Sequence, residues 1–132
     1  MSKQNLAHER LVRAAYEAFA EGDLDTLRTL NTEDSVWHTP GISPFNSEYK
    51  GVDGVMAYFA QLWELTEGTI KVEPEHMYGD DERVVVVEHV TASRHGNHID
   101  FHDVLVFEIR DGKLHVITQY ELDLKALETF WA

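Results

Sequence analysis

The stretch from His98 to Asp123 limits the possible folds most strongly, because it has the pattern of two β-strands joined by a tight turn. The turn is predicted at Arg110–Lys113, where an Asp-Gly pair supplies the positive φ that tight hairpin turns require. The two-residue period of a strand gathers one row of side chains on one face: Ile99, Phe101, Asp103, Leu105 and Phe107. A carboxyl group in such an apolar row pairs, becomes protonated or lines a cavity, so Asp103 is a candidate functional residue.

Apolar periodicity and turn residues divide the rest of the chain into helices first and strands afterwards. The predicted segments are helices over 4–21, 24–30, 51–65 and 124–131, strands over 35–38, 69–77 and 83–94, a turn over 31–34 and a loop over 40–50. Asp23 and Asp123 are suited to cap the helices that follow them, and Pro74 predicts a bulge or a sheet edge. Helices segregated from an antiparallel sheet indicate the α+β class. A curved sheet wrapped around a long helix encloses a cone, whose open end is a natural ligand site.

The acidic balance of the chain bears on its partners. It carries 24 acidic and 11 basic residues, a formal charge of -13, which opposes binding to nucleic acid and to anionic membranes. It has no cysteine and no apolar run of membrane-spanning length. We therefore expect one cytoplasmic domain over residues 1–132 that contacts neither nucleic acid nor membrane.

Polar residues set among apolar ones form the candidate pocket. The polar candidates are Tyr16, His38, His89, Asp103 and Gln119, and the candidate walls are Trp37, Phe45, Tyr49, Phe59, Trp63, Met77, Phe101 and Ile117. A few placed polar groups in an apolar cavity are typical of sites for small apolar molecules. Structural roles remain open for Tyr16 in the core, for Asp103 bonded to a strand neighbour and for His38 bonded to the loop at Pro40.

Two aromatic segments are candidates for a lid. The loop over 40–50 holds Phe45 and Tyr49, and the last helix carries Phe130 and Trp131. Both are expected to reach the open end of the cone and to exclude water from a bound ligand. The alternative is that they only complete the core at its rim.

Eight histidines raise the question of a metal site. His38, His89 and Asp103 would supply a His/His/carboxylate set. No HxH or HxxxH pair places two strand histidines convincingly together, although His98 and His102 lie four apart. We expect no metal and no cofactor.

Four ordered segments carry a resemblance to a known family: YEAFAEGDLDTL (16–27), DSVWHTPG (34–41), YKGVDGVMAYFAQL (49–62) and DVLVFEIRDGKL (103–114). The chain resembles the SnoaL-like group of the ketosteroid-isomerase and nuclear-transport-factor superfamily. The resemblance implies a cystatin-like, cone-shaped α+β barrel. It also implies that Asp103 matches the protonated oxyanion-hole aspartate of the isomerases, that His38 replaces their general-base aspartate and that Tyr16 lies near their oxyanion tyrosine.

Three functions are compatible with these features. The first is a cofactor-independent isomerase or cyclase of a small apolar carbonyl compound, with His38 as base and Asp103 as acid. The second is a non-catalytic binding protein, and the third is a dimerisation module. A homodimer is expected in each case, because superfamily members commonly pair through the sheet face opposite the pocket. That face is expected to carry five valines: Val84, Val86, Val90, Val104 and Val106.

Overall fold

A computed structural model describes residues 3–132, with side chains from Leu6 onward. Its elements are α1 (Lys3–Ala20), α2 (Leu24–Leu30), β1 (Asn31–His38), β2 (Glu48–Lys50), α3 (Gly51–Leu65), β3 (Lys71–Gly79), β4 (Arg83–Arg94), β5 (Asn97–Arg110), β6 (Lys113–Glu121) and α4 (Leu124–Trp131). Asp23 and Asp123 cap α2 and α4 as predicted, since each carboxylate accepts a 3.0 Å hydrogen bond from a backbone N–H of the first turn. No described helix is long and apolar enough to cross a membrane.

The six strands form one curved sheet in the order β2-β1-β6-β5-β4-β3. Neighbouring strands are antiparallel except for β1 and β6, which run parallel. Helices α1 and α3 pack on its concave face, where their apolar side chains join those of the strands in one core. The α+β prediction and the mostly antiparallel, helix-filled sheet are confirmed.

The first strand is longer than predicted. Residues 31–34, predicted as a turn, belong to β1, and Asn31 pairs with Leu114 of β6. The Asn31 side chain donates a 2.8 Å hydrogen bond to the Leu27 carbonyl, one of the carbonyl groups that lack a partner at the end of α2. Tertiary pairing therefore keeps this polar stretch extended. The predicted loop over 40–50 also ends in a short strand, β2, which pairs with β1.

Register shifts occur in three of the strand ladders, and two of them bear on the site. The ladder between β3 and β4 shifts between Pro74 and His76, and β3 lies at the sheet edge, so both predictions from Pro74 are confirmed. A second shift, between Glu108 and Ile109, offsets β6 by one residue against β5. Beyond this shift the odd-numbered residues of β6 face the cavity side, and the even-numbered residues face outward.

The assignment of Val84, Val86 and Val90 to the outer face is wrong. They lie opposite Phe107, Leu105 and Phe101 of β5 and are buried with them on the concave face. Directly opposed residues of antiparallel strands share a face, so the register across the hairpin decides the matter. The outer-face valines of β4 and β5 are Val85, Val87, Val104 and Val106.

Candidate active site

A cavity lies between the concave face of the sheet and the helices. Its volume is about 120 Å³, which is room for a small organic molecule. Seven predicted site residues line it: Tyr16, Trp37, Phe45, Phe59, Phe101, Asp103 and Gln119. The remaining walls are mostly aliphatic and aromatic, as small-molecule sites usually are.

Four predicted wall residues lie outside the cavity lining. Tyr49 packs on Tyr58, and Trp63 packs on Phe19, with ring centroids 4.7 Å and 4.9 Å apart. Ile117 is fully buried in the core, and Met77 packs at its border. All four therefore belong to the apolar core or pack against it instead of lining the cavity.

The prediction that His38 faces the pocket is wrong. Trp37 lies opposite Ile117 and points inward, so His38, next along β1 and opposite Thr118, points outward. Its Nδ1 lies 3.4 Å from the Glu48 carboxylate, and its side chain is 40% exposed. The structure therefore does not bring His38 to Asp103. His89 likewise lies on the outer face.

The centre of the site is a row of three carboxyl groups across adjacent strands. Glu88 of β4 lies opposite Asp103 of β5, and Asp103 lies opposite Glu121 of β6. Asp103 is 2% exposed and Glu88 4% exposed. One oxygen of each carboxyl group is buried without a hydrogen-bond partner in the described structure. Burying unpartnered oxygens is unfavourable, so the row is a candidate functional site.

The environment disfavours negative charge on the carboxyl row. Burial, followed by the repulsion of Glu88, raises the pKa of Asp103 to about 9. Burial and the neighbouring Asp103 raise the pKa of Glu121 to about 8. Burial raises the pKa of Glu88 to about 7, the lowest of the three, because the neighbouring Asp103 and Tyr16 side chains favour its ionised form. None of the described cavity-lining residues is a lysine, arginine or histidine. Near neutral pH Glu88 is therefore partly ionised, while Glu121 and Asp103 keep most of their protons.

Gln119 holds one end of the row in place. Its Oε1 accepts hydrogen bonds from the Trp37 indole, at 3.2 Å, and from the Tyr58 hydroxyl, at 3.1 Å. Its Nε2 must then point to Glu121, to which it donates a short hydrogen bond. The amide is therefore fixed in one orientation. It holds the Glu121 carboxyl group beside Asp103.

Tyr16 lies at the other end of the row. Burial and then the charge of Glu88 raise its phenol pKa well above the usual value, so the hydroxyl keeps its proton. That hydroxyl is buried without a partner of normal hydrogen-bond geometry. It is the best-placed neutral donor for an oxygen atom of a bound molecule.

Sequence reasoning missed Glu88, Glu121 and Tyr58. A signal for Glu88 was present, because Glu88 and Asp103 are equally distant from the tight turn at His95-Gly96. A two-residue turn fixes the hairpin register, and that register places the two acids opposite each other. The same register places Val84 and Val86 on the inward face with Glu88.

The predicted lid segments meet at the cavity. The rings of Phe45 and Trp131 pack edge to face with centroids 4.7 Å apart, and Pro40, Ile42 and Trp131 all line the cavity. Their opening for ligands remains a prediction. In a variant that retains only Trp131, a ligand that binds by calorimetry should change the tryptophan fluorescence and slow hydrogen exchange over 42–49. Binding without either change would show that these residues only complete the rim.

A curved, mostly antiparallel sheet wrapped around helices is typical of the cystatin-like class of α+β proteins. Residues 12–117 match the family model of the SnoaL-like domain, so the chain belongs to that family. An uncharacterized protein of Mycobacterium tuberculosis is 30% identical over 123 residues, 92% of this chain and 94% of its own. The structure of Bal32a, from a soil-derived mobile gene cassette, is 33% identical with a TM-score of 0.94 and covers 98% of this chain and 100% of that one.

A putative SnoaL-like polyketide cyclase from Jannaschia shares the fold. Its TM-score is 0.82 at 20% identity, over 100% of this chain and 96% of that one. The predicted superfamily, which includes polyketide cyclases and isomerases, is thereby confirmed.

Proposed function

We propose that the protein is a cofactor-independent enzyme that transfers a proton within a small, mostly apolar carbonyl compound, as an isomerase or a cyclase does. The observation that carries the proposal is the row of Glu88, Asp103 and Glu121 on the wall of an otherwise apolar cavity. A buried acid that pairs with no cation destabilises the fold, so a catalytic role gives the row a reason to exist.

Glu88 is the proposed base. A pKa of about 7 leaves its carboxyl group partly ionised at neutral pH, and a base works best when its pKa is near the working pH. A proton next to a carbonyl group becomes acidic when the carbonyl oxygen receives hydrogen bonds as the enolate forms. Glu88 removes that proton and returns it to another carbon atom. In a cyclisation the enolate carbon instead bonds to a second carbonyl carbon, and the alkoxide that forms takes the proton back from Glu88.

Asp103 and Tyr16 are the proposed donors to the enolate oxygen. Both keep their protons at neutral pH, because burial and the charge of Glu88 raise their pKa values. Both line the cavity, and each presents a buried oxygen without a partner. Glu121 and Gln119 act as positioning residues for Asp103. This scheme replaces His38 with Glu88 as the base and retains the other two predicted catalytic residues.

Substrate charge follows from the same row. No described residue of the lining offers a positive charge, and Glu88 carries a negative one near neutral pH. A ligand carboxylate buried beside it would be repelled and left without a counter-ion. We therefore propose neutral ketones, enones and lactones as the substrate class.

The test is proton exchange in deuterium oxide. The protein is incubated with neutral ketones, β,γ-unsaturated ketones and lactones, and loss of the α-proton signal is followed by NMR. We expect buffer-corrected exchange, and double-bond migration for the unsaturated ketones. A ligand that binds by calorimetry but whose α-proton never exchanges would contradict the proposed enzymatic activity. It would favour a binding protein, a second candidate that the aromatic contact between Phe45 and Trp131 over the cavity supports.

We also propose that the protein is a homodimer that pairs through the outer sheet face. There Tyr78 is 64% exposed and Tyr120 55% exposed, and both flank the four outer-face valines. A contiguous apolar patch of this kind is a typical interface. Light scattering should give twice the chain mass at micromolar concentration, and Val106→Lys should give a folded monomer. A monomeric parent protein would contradict the proposal.

A further inference from the structure

We propose that the outer face of the sheet carries a mononuclear site for a divalent transition-metal ion such as Zn²⁺, bound by His89, His102 and Glu75. One ligand atom from each side chain lies within 4.8 Å of the other two. Two imidazoles and a carboxylate are a ligand set that suits zinc and copper. The site is separate from the cavity and from the proposed proton-transfer chemistry.

Strand pairing brings the two histidines together. His89 of β4 lies directly opposite His102 of β5, and their rings stack with centroids 4.8 Å apart and planes 18° apart. Opposed positions on a sheet hold their side chains closer than any HxH pair within one strand does. For this reason the sequence spacing alone did not indicate the site, and the set considered there shares only His89 with it.

The bulge in β3 supplies the carboxylate. Glu75 is the extra residue where the ladder shifts between Pro74 and His76, and the shift carries its side chain across the neighbouring strand. The Glu75 carboxylate reaches His102 Nε2 at 2.9 Å. A bulge that re-aims one side chain toward two stacked histidines has no evident role in the core.

Asp100 completes the arrangement as an orienting residue. Its carboxylate lies 2.6 Å from His89 Nε2, which leaves the other ring nitrogen of His89 for a metal ion. Carboxylate–histidine pairs of this kind fix the ring and increase the basicity of metal-binding imidazoles. Glu73, opposite His89, adds a further negative charge that attracts a cation.

The site lies back to back with the carboxyl row. His89 follows Glu88 in β4 and His102 precedes Asp103 in β5, so adjacent pairs of one hairpin face opposite sides of the sheet. A metal ion that joins β3, β4 and β5 would therefore clamp the strands that carry the two acids. Its expected effect on the whole protein is stabilisation, because an ion that binds only the folded chain shifts the folding equilibrium.

The experiment titrates the chelator-treated protein with Zn²⁺ by calorimetry and follows Cu²⁺ by electron paramagnetic resonance. We expect one Zn²⁺ per chain, a Cu²⁺ spectrum with two nitrogen ligands and a melting temperature about 10 °C higher at a hundredfold excess over Kd. His89→Ala and His102→Ala should each weaken Zn²⁺ binding at least about tenfold. The control is His98→Ala, which removes another exposed histidine of β5 and should leave binding unchanged.

Four results would overturn the proposal. They are the absence of saturable binding, one Zn²⁺ per two chains, equal loss of affinity in His98→Ala, and a Cu²⁺ spectrum without nitrogen coupling. Glu75→Gln keeps the test decisive if a histidine variant fails to fold, since Glu75 is exposed and its amide has the same shape. That variant should weaken Zn²⁺ binding while the metal-free melting temperature stays unchanged.

Discussion

Replacing Glu88 with glutamine should slow proton exchange from a bound ketone by about 10²–10⁴-fold, the usual contribution of a positioned base. Glutamine keeps the shape of the side chain and its place opposite Asp103, but it does not accept a proton. Ligand affinity should change little, because the cavity walls are untouched. The measurement is the NMR exchange rate at saturating ketone, with the dissociation constant taken from calorimetry.

The control for this prediction is Glu73→Gln, which removes an exposed carboxylate from β3, the strand next to Glu88. It should exchange at the parental rate. Asp103→Asn should retain more activity than Glu88→Gln, because an amide N–H still donates to the enolate oxygen. Parental exchange in Glu88→Gln would remove Glu88 as the base, and equal loss in Glu73→Gln would show that the effect is not specific to the cavity.

The second large effect is a loss of stability as the pH rises. The three acids have folded-state pKa values of about 7, 8 and 9, above the usual values near 4 of an unfolded chain. The folded protein therefore holds protons that the unfolded chain has released. The contribution of these protons to the free energy of unfolding is complete below about pH 4 and is lost as the pH rises to about 9. The loss is about 1.4 kcal/mol per pH unit for each acid that is still protonated in the folded protein.

We expect the melting temperature to fall by about 10 °C or more between pH 5.5 and pH 9. Scanning calorimetry across that range measures it. A variant with Glu88→Gln, Asp103→Asn and Glu121→Gln should show a flatter profile and melt above the parent protein at pH 9. A parental profile that is flat from pH 5.5 to pH 9, or one that rises, would mean that the row is ionised in the folded state.

The fold was largely predictable because its signals are local. The Asp-Gly turn at 110–113, the cap at Asp23 and the bulge at Pro74 each depend on a few neighbouring residues, and the structure shows all of them. The turn predicted over 31–34 failed for the opposite reason. Its polar residues suggest a turn locally, and only pairing with a distant strand extends them.

The site was less predictable because it depends on register. Glu121 faces Asp103 only because the ladder shifts by one residue beside Glu108; a regular hairpin would place Tyr120 there. No sequence signal at Glu108 indicates this shift. The prediction for His38 was wrong by a single position, because Trp37 is the residue of β1 that points inward. Strand pairing therefore determines the direction of a side chain more reliably than a functional role carried over from a family resemblance.

Carboxyl ¹³C NMR reports directly whether the three carboxyl groups of the cavity share protons near neutral pH. The protein, labelled at the side-chain carboxyl carbons of Asp and Glu, is titrated from pH 4 to pH 10, and Glu88→Gln, Asp103→Asn and Glu121→Gln assign the signals. We expect three resonances with midpoints above pH 6, with Glu88 lowest, and a lower Asp103 midpoint in Glu88→Gln because a repelling charge is gone. Midpoints below pH 5 for all three would contradict this expectation.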